Sequence, residues 1–148
     1  MRRVYLDSNA TTPVLPEVLE TMLPFYREQF GNASSIHQYG QHARAAVERA
    51  RENVAKLLSC RAAEIVFTSG GTEADNLALF GLARPGDHII TSTIEHHAVL
   101  NACHKLEQRG CEVTYVPVDG RGLIHPEDVK SSLRGTTKLI SVMFANNE

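Results

Sequence analysis

Ile65-Val66-Phe67-Thr68-Ser69-Gly70-Gly71-Thr72-Glu73 decides how this chain is read. A short β-branched and aromatic run passes straight into two glycines and a threonine. A helical pattern over 72–83 follows. The same rhythm continues to the end of the sequence. Apolar runs at Ile65-Val66-Phe67, His88-Ile89-Ile90-Thr91, Val113-Thr114-Tyr115-Val116 and Leu139-Ile140-Ser141-Val142-Met143-Phe144 alternate with helical segments near 72–83, 94–109 and 126–134. Strand–helix–strand alternation implies right-handed crossovers. The expected fold is α/β, a mostly parallel sheet with helices on both faces.

Local punctuation supports these segments. Ser92-Thr93-Ile94-Glu95 has capping-box spacing. Gly110 stands where a helix C-terminus wants a left-handed residue. Pro126 fits a first helical position, with Glu127 and Asp128 in the first turn. Before the alternating region, Val18, Leu19, Met22 and Phe25 predict a helix over 16–29, ended by turn formers at 31–35. Ala43, Ala46, Val47, Ala50, Val54, Leu57 and Leu58 form one apolar stripe, which predicts an amphipathic helix from about Gln41 to Leu58.

Composition excludes several classes of function. Of 148 residues, 43% are hydrophobic and 22% charged, too apolar for a disordered chain. The net charge of −2 leaves no basic footprint for nucleic acid. No apolar run has the length of a membrane span, and Asp7, Ser8 and Asn9 interrupt the N-terminus where a secretory signal would need an apolar core. Cys60, Cys103 and Cys111 are an odd set without CxxC spacing, which speaks against a disulfide framework or a cysteine metal site and suits a cytoplasmic protein.

In open parallel sheets ligands bind beyond the carboxyl ends of the strands, so the loops after the runs are the candidate site. Thr68–Glu73 offers close backbone approach at two glycines, unpaired N–H groups at a helix start and a threonine hydroxyl. Those features suit a phosphate, but glycine-rich turns are common and a tight turn capped by Thr72 accounts for them as well. With neither G-x-G-x-x-G nor G-x-x-x-x-G-K-[ST] present, a small phosphorylated ligand fits better than a nucleotide. Glu95-His96-His97 opens the next helix. Adjacent helical histidines point about 100° apart and no third ligand has suitable spacing, so no metal is assigned. The alternatives are an imidazole presented over a flat ligand or an ordinary polar residue at a helix start. Asn146-Asn147 follows the last run, as turn formers or as a carboxamide donor to a ligand.

Taken in order, five stretches resemble the cysteine desulfurases, pyridoxal-phosphate enzymes of the class V aminotransferase group with the type I fold. They are residues Tyr5–Pro13, Gly31–His37, Val66–Asn76, Thr91–Leu100 and Met143–Glu148. The resemblance implies the first part of a type I large domain that is truncated. Residues 1–13 would be an N-terminal segment of the small domain, and 14–148 an incomplete cofactor-binding domain. Gly71 and Thr72 match the backbone and hydroxyl donors to the phosphate of pyridoxal 5′-phosphate. His96 matches the imidazole that stacks on the pyridine ring and handles protons, and Asn147 the residue near the ring hydroxyl and the substrate. Ala10-Thr11-Thr12 and Asn32–His37 are similar to segments that line the entrance.

The resemblance also implies that three parts lie beyond this sequence: the Schiff-base lysine, the carboxylate on the pyridine nitrogen and the cysteine that accepts sulfur. None of Lys56, Lys105, Lys130 and Lys138 has the matching context, so the chain alone is expected to be inactive. The complete enzyme would convert L-cysteine to L-alanine and pass sulfur, as a cysteine persulfide, toward iron–sulfur cluster or thio-cofactor synthesis. Homodimerisation and an iron–sulfur scaffold or other sulfur acceptor are implied as partners, with no nucleic acid and no membrane. The rival readings are a selenocysteine lyase, another class V aminotransferase-like enzyme, or a non-catalytic truncated interaction module.

Overall fold

A computed structural model of the chain describes residues 3–8 and 10–146. It divides into two compact units, one ending at Phe67 and one beginning at Thr68.

The first unit holds helix α1 (Pro16–Arg27) and helix α2 (Gln38–Leu57), followed by a single 3₁₀ turn at Ala62–Glu64. Pro16 starts α1 at a position where its missing N–H costs nothing. Helix α2 begins three residues earlier than the apolar stripe predicts, because Gly40 lies inside it rather than before it. A Cβ on Gly40 would come within 2.3 Å of the Ser35 carbonyl oxygen, so glycine is required there by the close passage of the 32–35 loop. The His37 ring Nδ1 caps the helix by accepting from the Gly40 N–H.

The run Ile65–Phe67, expected as a strand, is extended but belongs to no ladder. A strand needs a second backbone, and none pairs with this segment among the described residues. It is held instead by Arg51 of α2, which donates to the Ile65 carbonyl and places its guanidinium 4.9 Å from the centre of the Phe67 ring.

The second unit is a parallel three-stranded sheet of order β2-β1-β3, built from β1 (His88–Ser92), β2 (Glu112–Val116) and β3 (Thr137–Ser141). The register sets Ile89 beside Val113 and Leu139, and Thr91 beside Tyr115 and Ser141. Central β1 is buried along its whole length, which is why its sequence does not alternate. Ile89 clusters with Leu79 of α3 (Gly71–Leu82), with Ala83 just after it, and with Val99, Ala102, Cys103 and Leu106 of α4 (His97–Glu107). The α4 residues recur at helical spacing and form the stripe facing the core.

The chain steps from β1 through α4 to β2, then back over β1 through α5 (Pro126–Ser131) to β3. Right-handed crossovers in opposite directions put α4 and α5 on opposite faces. Accordingly Ile90, whose side chain leaves the face opposite Ile89, is also fully buried. Gly110 adopts φ +90°, and Pro126 opens α5 with Glu127 and Asp128 in its first turn, as expected. Helix α4 starts at His97 rather than 94, and β3 leaves its ladder at Ser141 rather than 144.

At the N-terminal end of the sheet the fully buried His88 ties all three strands together. Its Nδ1 is 2.8 Å from Thr137 Oγ1 on β3, and its Nε2 is 2.8 Å from Thr114 Oγ1 on β2. Burial, reinforced by the Arg134 guanidinium, holds this imidazole below its ordinary value, against a smaller opposing pull from Glu112. The unfolded chain therefore takes up a proton at a pH where the folded ring does not. Urea midpoints are expected to fall as the pH drops from neutral through about 6.5, and His88→Gln, although less stable throughout, should show a flatter pH dependence.

Candidate active site

The direction of connection reverses at β1, and in such sheets this opens a crevice at the carboxyl ends of the strands on either side. The segments leaving β1 and β3 meet there. After Ser92 the backbone turns at Thr93–Ile94, passes through Glu95 and His96 without regular structure and enters α4. Glu95 points inward and is only 6% exposed, whereas His96 beside it faces solvent. The Glu95 carboxylate Oε1 accepts from Ser92 Oγ at 2.9 Å and from the Met143 N–H at 2.7 Å. Asn146 Nδ2, further along the segment leaving β3, donates to the Ile94 carbonyl at 2.7 Å.

The Ser92–Glu95 pair therefore does not make the expected capping box. His96 is the N-cap of α4, its ring Nδ1 accepting the Ala98 N–H at 3.1 Å. That bond assigns the proton of the neutral ring to Nε2.

Gly71 and Thr72 form the first turn of α3, with Gly70 as its N-cap, and no side chain caps the helix. Gly70 has φ 165°, extended backbone that any residue adopts. A Cβ built on Gly70 or Gly71 would meet nothing within 4 Å. Among the described residues neither backbone conformation nor packing requires glycine at these positions, so the space beside them is open to a ligand. Glu73 bends back to accept from both the N–H and Oγ of Ser69, and those bonds hold its exposed carboxyl below the ordinary value.

Thr72 and His96 line one open groove of about 590 Å³ together with Asn76, Phe80, His97, Asn101 and Lys105. Asn76 ties its two sides by donating to the Thr72 carbonyl at 2.7 Å and, more weakly, to the Ala98 carbonyl at 3.4 Å. Thus the structure brings together Thr72 and His96, with Gly71 next to Thr72 in the same turn. Asn147 lies outside the described residues. Sequence reasoning missed Glu95 and Asn76. The signal for Glu95 was present in its spacing from Ser92, but the spacing pointed to a cap rather than to a buried tie.

A profile of the aminotransferase class-V family matches residues 4–148. The chain belongs to this family. Among curated class-V relatives, a protein named cysteine desulfurase IscS from Dictyoglomus turgidum is 55% identical over 151 residues, covering 99% of this chain and 38% of that protein. A solved structure titled NifS-like protein superposes with a TM-score of 0.94 at 46% identity, over 99% of this chain and 42% of its own. Another, titled SspA in complex with cysteine, gives 0.92 at 42% identity, over 97% and 43%. The chain thus spans about two fifths of the length of the proteins it matches.

Of the cysteines in this class-V chain, Cys103 and Cys111 are buried and Cys60 is exposed. Burial pushes the Cys103 thiol up to about 11, and raises Cys111, which donates to the Arg84 carbonyl. Thiolate is the reacting species, so a thiol reagent at pH 8 should titrate one cysteine per folded chain rapidly and the other two only after denaturation. Cys60→Ser should remove the rapid phase.

Proposed function

We propose that this class-V chain supplies the phosphate cradle and stacking imidazole of a pyridoxal 5′-phosphate-dependent cysteine desulfurase. The observation that carries the reading is the start of α3, where no side chain among the described residues caps the helix and none fills the open space beside two glycines. Helix N-termini with free N–H groups bind phosphate through hydrogen bonds and the helix dipole. The Gly71 and Thr72 N–H groups and the Thr72 hydroxyl would hold the ester. His96 would lie against the ring, with Nε2 available to hold or move a proton on the exposed side. Asn147 would complete the polar contacts near the ring hydroxyl and the substrate. When bound, pyridoxal phosphate supplies an electron-withdrawing ring that stabilises negative charge at the α-carbon of an amino acid.

The substrate proposed is L-cysteine, converted to L-alanine with sulfur passing to an enzyme thiol. The desulfurase names among the relatives and the cysteine complex of one neighbour support this choice. Buried Cys103 and Cys111 are poor candidates for the accepting thiol. We place the activity in the cytoplasm, in a homodimer, delivering sulfur to an iron–sulfur scaffold or a thio-cofactor pathway. The domain division proposed assigns residues 1–13 to the small domain and 14–148 to the cofactor domain.

The chain alone is proposed to bind the cofactor without a covalent link and to release no sulfide. Lys56, Lys105 and Lys130 lie in helices and Lys138 in β3, none on a loop at the carboxyl ends of the strands. Lys105 lines the groove, but its ammonium is bonded to Gln108.

Gly71→Ala tests the cradle. Alanine is the better helix former and meets no neighbour, so thermal stability should hold or rise by up to about 1 kcal/mol. Affinity for pyridoxal 5′-phosphate should fall by about tenfold or more, as the methyl takes the ester's place. Pyridoxal without phosphate should bind weakly and respond little to the substitution. Equal affinity of wild type and variant for the ester would refute the cradle, and borohydride reduction that fixed the cofactor to a lysine would refute the non-covalent mode.

A further inference from the structure

The residue that sets the geometry of this site is not one of those expected to touch the cofactor. Glu95 is a buried carboxylate whose partners come from two separate segments: Ser92 at the end of β1, and Met143 on the segment leaving β3, 48 residues away in sequence. Among the described residues no arginine, lysine or histidine forms an ion pair with it. A buried charge without a counter-ion is costly unless hydrogen bonds satisfy it. Its two donors and its place just before the positive end of α4 therefore account for its retention there.

We infer that Glu95 is the positioning residue of the site, locking the segment that presents His96 to the segment that leads to Asn147. With Glu95 anchored inward, the adjoining His96 lies exposed, and its ring Nδ1 caps α4 by accepting the Ala98 N–H. The same carboxylate oxygen takes the Met143 N–H, two residues after β3 has ended. The Asn146 bond to the Ile94 carbonyl adds a second tie between the same two segments. For its consequence in binding, the inference rests on the cofactor reading above.

Two variants separate the roles of shape and charge. Glu95→Gln keeps a carbonyl acceptor at the position of Oε1, and Glu95→Ala removes it. In the ligand-free chain, Glu95→Ala should speed hydrogen exchange at the Met143 amide by about tenfold or more and shift the His96 ring resonances, while the His88 ring at the far end of the sheet stays unchanged. Titration with pyridoxal 5′-phosphate should show a loss of about tenfold for Glu95→Ala, and Glu95→Gln should stay within about threefold of wild type in every readout.

Wild-type exchange and His96 signals in Glu95→Ala would overturn the inference. So would an equal disturbance at His88, which would mean general loosening, or a Glu95→Gln variant as impaired as Glu95→Ala. Should Glu95→Ala fail to fold, Ser92→Ala removes one of the two donors. It must then shift the His96 signals for the inference to stand. If wild type fails to bind the ester, the cofactor reading falls, and the exchange and ring signals still decide the role of Glu95.

Discussion

Complete burial of β1 is the constraint from which the architecture of the second unit follows. A strand covered on both faces and paired on both edges has no access to water, so each polar side chain on it needs a partner from the protein. Ile89 and Ile90 satisfy the two faces with apolar contacts. His88 finds a threonine on each neighbouring strand. Thr91 Oγ1 finds no partner among the described residues. Ser92, at the end nearest the crevice, finds Glu95. That last solution shifts the demand outward, because a buried carboxylate needs a further donor, and the segment leaving β3 provides one. The shape of the site is thus a consequence of how the end of the central strand is satisfied.

Features governed by local chemistry were legible in the sequence. The strand and helix segments themselves, the left-handed Gly110 and the proline start of α5 each depend on residues within a few positions of one another, and the parallel order follows from their alternation. Features governed by distant partners were not. Ile65–Phe67 has the composition of a strand, yet a strand is a relation between two backbones, and Arg51 holds it instead. Gly40 looks like a helix breaker until the loop at 32–35 is seen passing against it.

The site divides along the same line. Gly71, Thr72 and His96 were identified by motif, and Thr72 and His96 line one groove. Glu95 was read as a cap because Ser92 stands three residues before it. The competing interaction was the Met143 N–H, two residues past the end of β3, and nothing in the local sequence announces a donor so remote. With Glu95 drawn inward, the imidazole of His96 takes over the capping of α4, and a residue suited to chemistry acquires a structural duty that also fixes its tautomer.

Magnitudes explain why glycine at 71 is better understood through a ligand than through the fold. A glycine in a helix interior costs about 1 kcal/mol relative to alanine, an upper bound for Gly71 at the first position, and among the described residues nothing requires it. A ligand present at a hundredfold excess over its dissociation constant stabilises the folded state by about 2.7 kcal/mol. Binding through a backbone that only glycine leaves open therefore offsets the conformational cost with a margin. Glu73 fits the same logic. A carboxylate in the first turn of α3 is favourable to the helix dipole but would compete with an anion for its N–H groups. By turning back to Ser69 it keeps the first advantage and leaves those groups unoccupied.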